Sequence, residues 1–444
     1  MPFTLLFAPE PLVDALSDTA WLQAMLDVEA GLAEAQAAVG VIPAGAAEAI
    51  AACCRAERFD PAALALDARH VGSPVEPLVR ALSALVPGEA ARLVHLGCTS
   101  QDVMDTAAML VAKRALALIE RDLDGVGDAC AGLAETHRDT LMVARTLMQH
   151  ALPTTFGLKA AGWLDAVTRA RGALARLAPD VLALELGGAA GTLASYGSQG
   201  PAIARELATR LGLAEAELPW HAQRGRIAEL GAALSLMAGS LGKIALDVVL
   251  LSQTEVGEVA EAASGRRGGS STLPHKRNPV GSTLVRSCAR SAQASAGLLL
   301  GNLEHEHERA AGAWQAEWDA LSGALLHAGA AAYWLREVLE TLEVKPGRMR
   351  ANLDSTRGLV MAEAVSLRLA EALGRVAAHD LLKAVSRRVA DGDGTLADEL
   401  AADPAVTAQL APAELAAALD PAGYLGAAST LIDRAVSRHR GGAA

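Results

Sequence analysis

The chain is poor in aromatic side chains. Phe, Trp and Tyr make up 3% of its 444 residues, although 52% are hydrophobic, and alanine and leucine supply most of that hydrophobic fraction. Small aliphatic residues with high helix propensity favour closely packed helices over sheet. The composition therefore predicts an all-α protein with almost no sheet.

Cysteine and positive charge are also scarce. The five cysteines are odd in number and contain no CxxC pair, which indicates neither a disulfide framework nor a zinc site. Lys and Arg number 39 against 51 Asp and Glu, for a net charge of −12. This charge disfavours nucleic acid or an anionic membrane as the main partner. An anionic substrate would therefore need a local positive site.

A long apolar run without charges is missing as well. The most apolar stretch, around residues 234–251, is interrupted by Lys243 and Asp247. No basic-then-apolar leader opens the sequence, and we found no internal repeat. These absences predict a soluble, cytoplasmic protein.

Hydrophobic heptads run along two long stretches. The first contains Leu116, Ile119, Leu123, Val126, Cys130 and Leu133; the second contains Ile227, Leu230, Leu234, Met237, Leu241, Ile244, Val248 and Leu251. Both predict long bundle helices. Because no proline occurs between Pro219 and Pro274, we expect a second helix of roughly 35 residues, or about 50 Å at 1.5 Å per residue. A third pattern, at 282–342, predicts two helices or one bent helix. Such long seams are difficult to cover inside one chain, so we expect several copies to pack them together.

A polar stretch from Gly268 to Ser282 separates these helical patterns. It contains glycines, hydroxyls, Lys276 and Asn278, and its prolines and glycines are incompatible with a continuous helix. Such composition is also typical of a flexible linker. A phosphate-binding P-loop is excluded, because Lys276 follows Pro274 and His275 rather than a glycine, and no strand precedes it. The stretch is interpreted as a mobile loop that closes over a substrate.

Two further segments carry candidate chemistry. Thr99 and Ser100 lie just before the first long helical pattern, where either hydroxyl is well placed as an N-cap. Free amides and hydroxyls at a helix N-terminus also form a carboxylate site, and capping and binding can both hold. His305 and His307 would lie on different faces of a helix and lack the HExxH spacing, so no metal site is expected.

Several strings resemble signature regions of the fumarase/aspartase superfamily. They are Thr99–Asp102, Thr146–Pro153 and the Gly-Ser-Ser-x-Leu-Pro-His-Lys-x-Asn-Pro string at 269–279. Further strings at 94–106, 186–193, 253–259 and 306–318 extend the resemblance over nearly the whole chain. Within the superfamily they most resemble the bacterial 3-carboxy-cis,cis-muconate cycloisomerase family. Its reaction is lactonisation, in which a substrate carboxylate adds across a conjugated double bond during protocatechuate breakdown.

The resemblance implies an architecture and an assembly. The expected fold has an N-terminal helical domain at 1–105, a central long-helix bundle at 106–344 and a C-terminal helical domain at 345–444. The long helices would form the core of a homotetramer whose active sites are shared between chains. A small polycarboxylate substrate is implied, with no cofactor, no metal, no nucleic acid and no membrane.

The resemblance also implies roles for individual residues. Ser270 in the mobile loop would be the catalytic base in the lactone-opening direction and the acid in the lactonising one. The expected substrate-binding residues are Thr99, Ser100, Gln149, His150, Ser271, Lys276 and Asn278, with His70 and Ser73 as weaker candidates. The alternative for His150 is a purely structural hydrogen bond to a helix-end carbonyl. The alternative for His70 is a solvated side chain with no binding role.

One position departs from the superfamily pattern. Where relatives have histidine in the Thr-His string, this chain has Leu147, which cannot carry a proton. A departing amine needs such a proton, whereas a carboxylate of pKa about 4 leaves as a stable anion. Leu147 is therefore expected to set specificity, as an apolar wall against the lactone ring.

Two alternatives remain. Adenylosuccinate lyase shares the Pro-His-Lys-Arg-Asn-Pro string, but its relatives carry a Ser-Ser-x-x-Glu-Arg string where this chain has Ala-Ala-Gly-Ala-Trp-Gln at 310–315. The other alternative is a non-catalytic structural protein on a lyase fold. The intact Ser270, Lys276 and Asn278 disfavour it.

Overall fold

A computed structural model describes residues 3–262, 269, 273, 276–392 and 394–441. About 70% of the chain is helical, which confirms the predicted all-α class. In the described residues the α-helices are, in chain order, α1 (Thr4–Phe7), α2 (Glu10–Ala15), α3 (Asp18–Ala38), α4 (Ala44–Cys53), α5 (Pro61–Ala68), α6 (Val75–Leu85), α7 (Ser100–Thr136), α8 (Phe156–Val181), α9 (Gly200–Leu211), α10 (Gly225–Leu251), α11 (Val280–Gly301), α12 (Ala313–Leu339), α13 (Pro346–Asp354), α14 (Ala362–Leu373), α15 (Arg375–Asp391), α16 (Leu396–Ala402), α17 (Pro404–Thr407), α18 (Pro412–Ala418) and α19 (Ala428–His439).

The described sheet is limited to two antiparallel pairs. Strands β1 (Leu141–Thr146) and β2 (Gln149–Thr155) form a hairpin, with a register shift between Val143 and Arg145. Strands β3 (Val259–Ala260) and β4 (Glu343–Val344) form a short second pair. The expectation of almost no sheet is confirmed, although it did not include the hairpin, which contains the string from Thr146 to Pro153.

The heptad seams lie in long helices, with one correction. The first seam lies in α7, and the third pattern is two helices, α11 and α12, rather than one. The second seam lies in α10, which has 27 residues and is about 40 Å long, so the expected 35 residues were wrong. Turns and a bend at 252–256 end α10, which shows that missing prolines do not by themselves extend a helix.

Helix α10 is also, among the described residues, the one helix long and apolar enough to cross a membrane. Its seam residues Leu234, Leu241 and Val248 are fully buried within the protein, as in the core helix of a bundle. The Trp163 indole donates to the Asp247 carboxylate, with 2.7 Å between nitrogen and oxygen, so the charge of Asp247 has a defined partner inside the protein.

The chain divides into two compact units that interleave along the sequence. Unit 1 consists of Met1–Asp124, Arg169–Lys243 and Leu284–Leu335; unit 2 consists of Gly125–Thr168, Ile244–Thr283 and Arg336–Ala444. The three-domain division at 105/106 and 344/345 stays a prediction, since these units follow packing rather than chain order.

Each unit has a buried hydrophobic core. In unit 1, α3 and α9 pack around Leu32, Ile203 and Leu207. In unit 2, the C-terminal helices bury a larger cluster that includes Val143 of β1, together with Leu353, Val360, Val365, Leu369, Leu382, Val385, Leu396 and Leu400. The hairpin is therefore anchored in the core of unit 2 through its first strand.

Candidate active site

The N-terminus of α7 forms the first part of the candidate site, in unit 1. The helix begins at Ser100, and the Asp102 carboxylate accepts a hydrogen bond from the Thr99 backbone N–H at 3.0 Å. Thr99 and Ser100 are half-buried, and within the described part of the chain neither hydroxyl makes a hydrogen bond. The capping bond thus comes from Asp102 rather than from either hydroxyl. Both hydroxyls remain available beside the positive end of the helix dipole.

The residues that lead into α7 are held by buried partners. The Leu96 carbonyl accepts from the Gln36 amide at 2.8 Å and from the Tyr196 hydroxyl at 2.9 Å. Gly97 has φ +73°, and a Cβ there would lie 2.5 Å from a Tyr196 ring carbon, so only glycine fits. His95 also has positive φ, +58°, and its Nδ1 lies 2.6 Å from a Glu29 carboxylate oxygen. The backbone conformation of the residues before Thr99 is therefore fixed.

Arg309 joins two other segments of the superfamily strings to this helix end. Its guanidinium donates to the carbonyls of Gly188 at 2.6 Å and Ala189 at 3.2 Å, and to the Gln101 side-chain oxygen at 3.4 Å. Within unit 1, three strings that lie far apart in sequence thus meet around the start of α7. His305 and His307 do not lie on a helix. They lie between α11 and α12 in a segment that is not helical, so the prediction that they occupy different faces of a helix was wrong.

A buried ion-pair layer supports this end of α7. Arg224 donates twice to the Asp105 carboxylate, at 2.7 and 3.0 Å, and also to the Glu317 carboxylate. The Trp314 indole donates to Asp105 at 2.9 Å. Burial lowers the pKa of Arg224, but Asp105 and Glu317 outweigh burial and raise the pKa overall, so the guanidinium stays charged.

Glu185 and His221 lie against the other side of Asp102. Burial, with the Asp105 and Asp102 carboxylates as smaller causes, raises the pKa of Glu185 to about 9, so this carboxyl is neutral at pH 7. Donor atoms of Asp102, Glu185 and His221 lie within 4.8 Å of one another, which is compatible with metal ligation. The hydrogen bond of 2.6 Å between His221 Nε2 and Asp102 Oδ1 already accounts for their closeness without an ion.

In unit 2, the turn of the β1–β2 hairpin carries Leu147, the residue that is expected to set specificity. Leu147 and Met148 both have positive φ, +50° and +67°, the backbone signs of a type I′ turn. Leu147 is 96% exposed and Met148 68% exposed. Side chains other than glycine, asparagine and aspartate are strained in this region, and such strain concentrates at functional sites.

Gln149 and His150 follow this turn on β2, where both are exposed. His150 lines a pocket of about 620 Å³ in unit 2, together with Arg145, Lys159 and Arg348. Its Nδ1 lies 3.5 Å from the Ser355 hydroxyl, not against a helix-end carbonyl as the structural alternative expected. Burial and the Arg145 guanidinium lower the pKa of His150, so its neutral form is favoured at pH 7.

Arg145 also ties the hairpin to the string at 253–259. It donates to both oxygens of the fully buried Glu258, at 3.0 and 2.7 Å, and the Asn352 amide donates to the same carboxylate at 2.7 Å. Glu258 thus neutralises Arg145, and the carboxylates of Asp247 and Glu255 also line the pocket, so its lining carries charges of both signs.

The end of the predicted loop lies at the start of α11. Lys276 is exposed and Asn278 half-buried, while Arg277 between them pairs with Glu343 at 2.7 Å. Glu261 is buried and accepts from the Gly281 and Ser282 amides and the Ser282 hydroxyl, which fixes the first turn of α11. The candidates Ser270 and Ser271 lie outside the described residues.

The weaker candidates lie before α6. His70 is exposed, whereas the Ser73 side chain is buried and its hydroxyl accepts from the Val75 N–H at 3.3 Å. The Ser73 bond has a local structural purpose at the start of α6. Binding by His70 stays a prediction.

The predicted site residues are thus divided between the units. Thr99, Ser100 and His70 belong to unit 1, and Leu147, Gln149, His150, Lys276 and Asn278 belong to unit 2. The sequence arguments missed Asp102, Glu185, His221, Arg224 and Arg309. An acidic residue two positions into a helix is a recognisable capping signal for Asp102, but no local pattern marks His221 or Glu185.

Comparison with known proteins identifies the family of this chain. A lyase family profile matches residues 8–294, and a profile for the adenylosuccinate lyase C-terminus matches residues 358–435. The chain is 49% identical to a 3-carboxy-cis,cis-muconate cycloisomerase of Bradyrhizobium diazoefficiens over 95% of this chain and 94% of that one. It is 50% identical to a nitrosuccinate lyase of Streptomyces davaonensis over 97% and 93%. The crystal structure of the 3-carboxy-cis,cis-muconate lactonizing enzyme from Pseudomonas putida superimposes with a TM-score of 0.94 at 44% identity, covering 99% of both chains. The chain therefore belongs to the lyase family of the fumarase/aspartase superfamily.

Proposed function

We propose that this enzyme is a 3-carboxy-cis,cis-muconate cycloisomerase that forms 4-carboxymuconolactone in protocatechuate breakdown in the cytoplasm. The activity is supported by the names of several relatives and by the fact that their similarity covers nearly the whole chain. The observation that carries the choice within the superfamily is Leu147, an apolar side chain at the tip of the hairpin where a proton-transferring histidine would otherwise lie.

In the lactonising direction, one substrate carboxylate oxygen forms a bond to an alkene carbon. The π electrons move to the neighbouring carbon and spread into the carboxylate attached to it, giving a dianionic intermediate. That carbon then takes a proton, which the proposal assigns to Ser270. Lys276, Asn278, Thr99 and Ser100 would hold the carboxylate where this charge develops, since preorganised donors stabilise it most.

Leu147 fits this chemistry because the group that leaves in the reverse direction is a carboxylate. A carboxylate of pKa about 4 departs without a proton, whereas general acid catalysis of amine departure is worth about 10²–10⁴ in rate. An amine lyase could hardly lose that contribution. Leu147→His is accordingly not expected to accelerate lactonisation, and faster turnover of this variant would contradict the role given to Leu147.

A second candidate is supported by the nitrosuccinate lyase at 50% identity. A nitro group can leave as nitrite, which is also a stable anion, so Leu147 does not distinguish this elimination from lactone opening. Direct competition between the two substrates does. The wild type is expected to turn over 3-carboxy-cis,cis-muconate with the higher kcat/KM, and the reverse ranking would favour the second candidate.

The proposal includes a homotetramer with shared active sites. Several leucines on α10 and α11 are exposed in the single chain, Leu236 at 73%, Leu298 at 48% and Leu300 at 47%. Exposed apolar side chains along long helices are typical of interfaces between copies. The exposed hairpin tip supports the same assembly, because Leu147 is solvated unless another chain covers it.

Two measurements test these statements. Loss of the diene absorbance on mixing purified enzyme with 3-carboxy-cis,cis-muconate tests the activity, and an unchanged spectrum would contradict it. Co-expression of a Ser270→Ala chain with a Gln149→Ala chain is expected to recover activity that neither variant has alone, because some shared sites would then contain both intact groups. A monomer in sedimentation would refute the assembly.

A further inference from the structure

The Asp102 carboxylate binds more backbone amides than capping of α7 alone requires. It is fully buried, and its two oxygens together accept from four N–H groups. Oδ2 accepts from the amides of Thr99 and Gly188, each at 3.0 Å. Oδ1 accepts from the Gly187 amide at 2.9 Å and lies 2.6 Å from Nε2 of His221. One carboxylate therefore joins the N-cap of α7, the glycine turn and His221.

The two glycines fit tightly around this carboxylate. Gly188 has φ +68°, and a Cβ on Gly187 would lie 2.7 Å from both His221 and Pro219. The turn thus needs glycine to bring its amides to Asp102. Hydrogen bonds to a buried carboxylate are stronger than those between neutral groups, and four such donors offset the cost of burying the charge.

Asp105, one turn further along α7, offers a matched comparison. It is also buried, 2% exposed, but its described partners are the side chains of Gln101, Arg224 and Trp314. Removal of the Asp105 charge disturbs an ion-pair layer. Removal of the Asp102 charge releases the backbone of Thr99 itself.

We infer that Asp102 is a positioning residue for substrate binding: it fixes the Thr99 amide and the Gly187–Gly188 turn, so that the end of α7 is preformed for a substrate carboxylate. The inference rests on the proposed function, which assigns Thr99 and Ser100 to that carboxylate. Arg309, bonded to the Gly188 carbonyl, fixes the same turn from its other side.

The test compares Asp102→Asn with Asp105→Asn. Asparagine keeps the shape but turns an NH₂ group toward two of the N–H donors, which breaks the arrangement without leaving a cavity. At a temperature where circular dichroism shows both variants folded, Asp102→Asn is expected to reduce kcat/KM by about 10- to 100-fold, mainly through KM. Asp105→Asn is expected to lower Tm and to change KM by less than about threefold. Equal KM values in Asp102→Asn and wild type, or equal KM changes in both variants, would overturn the inference.

A second pair of variants, at His221, tests the inference if Asp102→Asn does not fold. His221→Leu removes one donor to Asp102, whereas His221→Gln can place an amide N–H near the position of Nε2. KM is expected to rise by about tenfold in His221→Leu and to stay within about threefold of wild type in His221→Gln. Indistinguishable KM values for these two variants would count against a positioning role.

Failure of the proposed function is distinguishable from failure of this inference. A wild type that leaves 3-carboxy-cis,cis-muconate unchanged contradicts the function. Calorimetric titration with tricarballylate, a saturated tricarboxylate, then tests positioning directly. Weaker binding by Asp102→Asn than by wild type and Asp105→Asn supports it. Equal binding by all three proteins, or none by the wild type, overturns it.

Discussion

The start of α7 and the tip of the β1–β2 hairpin both carry predicted substrate contacts, yet they are built in opposite ways. Thr99 is held by buried partners, so its position is fixed within one chain. Leu147 lies at an exposed turn, 96% accessible, with a strained backbone. One chain therefore orders the α7 end by itself, whereas the hairpin tip is exposed in the single chain and would be covered only in the proposed homotetramer.

The largest expected effect on stability is at the buried layer below α7. Arg224→Met would leave the Asp105 and Glu317 carboxylates buried without their cation, which costs about 3–5 kcal/mol. Arg205→Met is the matched control, because its pair with Glu215 is exposed and is worth about 0–1 kcal/mol. Chemical denaturation measures both. Similar losses for the two variants would show that the α7 end is not the more rigid region.

Ser270 lies in neither of these two regions, and its proposed role is proton transfer rather than substrate binding. Ser270→Ala is expected to leave Tm unchanged and to lower turnover by at least about 100-fold, the usual scale for a lost acid or base. Kinetics with 3-carboxy-cis,cis-muconate provides the measurement. Near-normal turnover would remove Ser270 from the mechanism.

Glu185, which is buried beside Asp102, predicts a pH dependence of stability. Burial raises the pKa of Glu185 to about 9, whereas an unfolded glutamate titrates at about 4.3. Between these values the folded state holds a proton that the unfolded state has lost, so this group makes stability fall as pH rises from about 4.3 to 9. Glu185→Gln is expected to flatten that fall in Tm scans between pH 6 and 8.5. An unchanged slope would mean that Glu185 is ionised in the folded protein.

The smallest expected effect is at the hairpin. Leu147→Gly relieves a positive φ that leucine adopts only with strain of about 1–2 kcal/mol, but it also loosens the unfolded chain, so a net gain of at most about 1 kcal/mol is expected. KM should rise at the same time, because the apolar side chain is lost. If Leu147→Gly were less stable than wild type and fully active, Leu147 would serve stability rather than substrate binding, contrary to this prediction.

Periodic features were predictable, and contacts between distant segments were not. The α7 and α10 seams follow from heptads of Leu, Ile and Val, and the start of α7 at Ser100 follows from polar residues before the seam. The hairpin was not predictable from its turn, since type I′ turns favour Asn-Gly and this one contains Leu147 and Met148. Glu185 and His221 reach Asp102 only through tertiary packing, 83 and 119 positions away along the chain.

The most direct test of the proposed activity is the diene absorbance of 3-carboxy-cis,cis-muconate with the purified wild type, measured beside nitrosuccinate and adenylosuccinate. We expect saturable loss of that absorbance, a kcat/KM at least about 100-fold above that for nitrosuccinate, and no cleavage of adenylosuccinate. An unchanged diene spectrum together with turnover of either other substrate would contradict it.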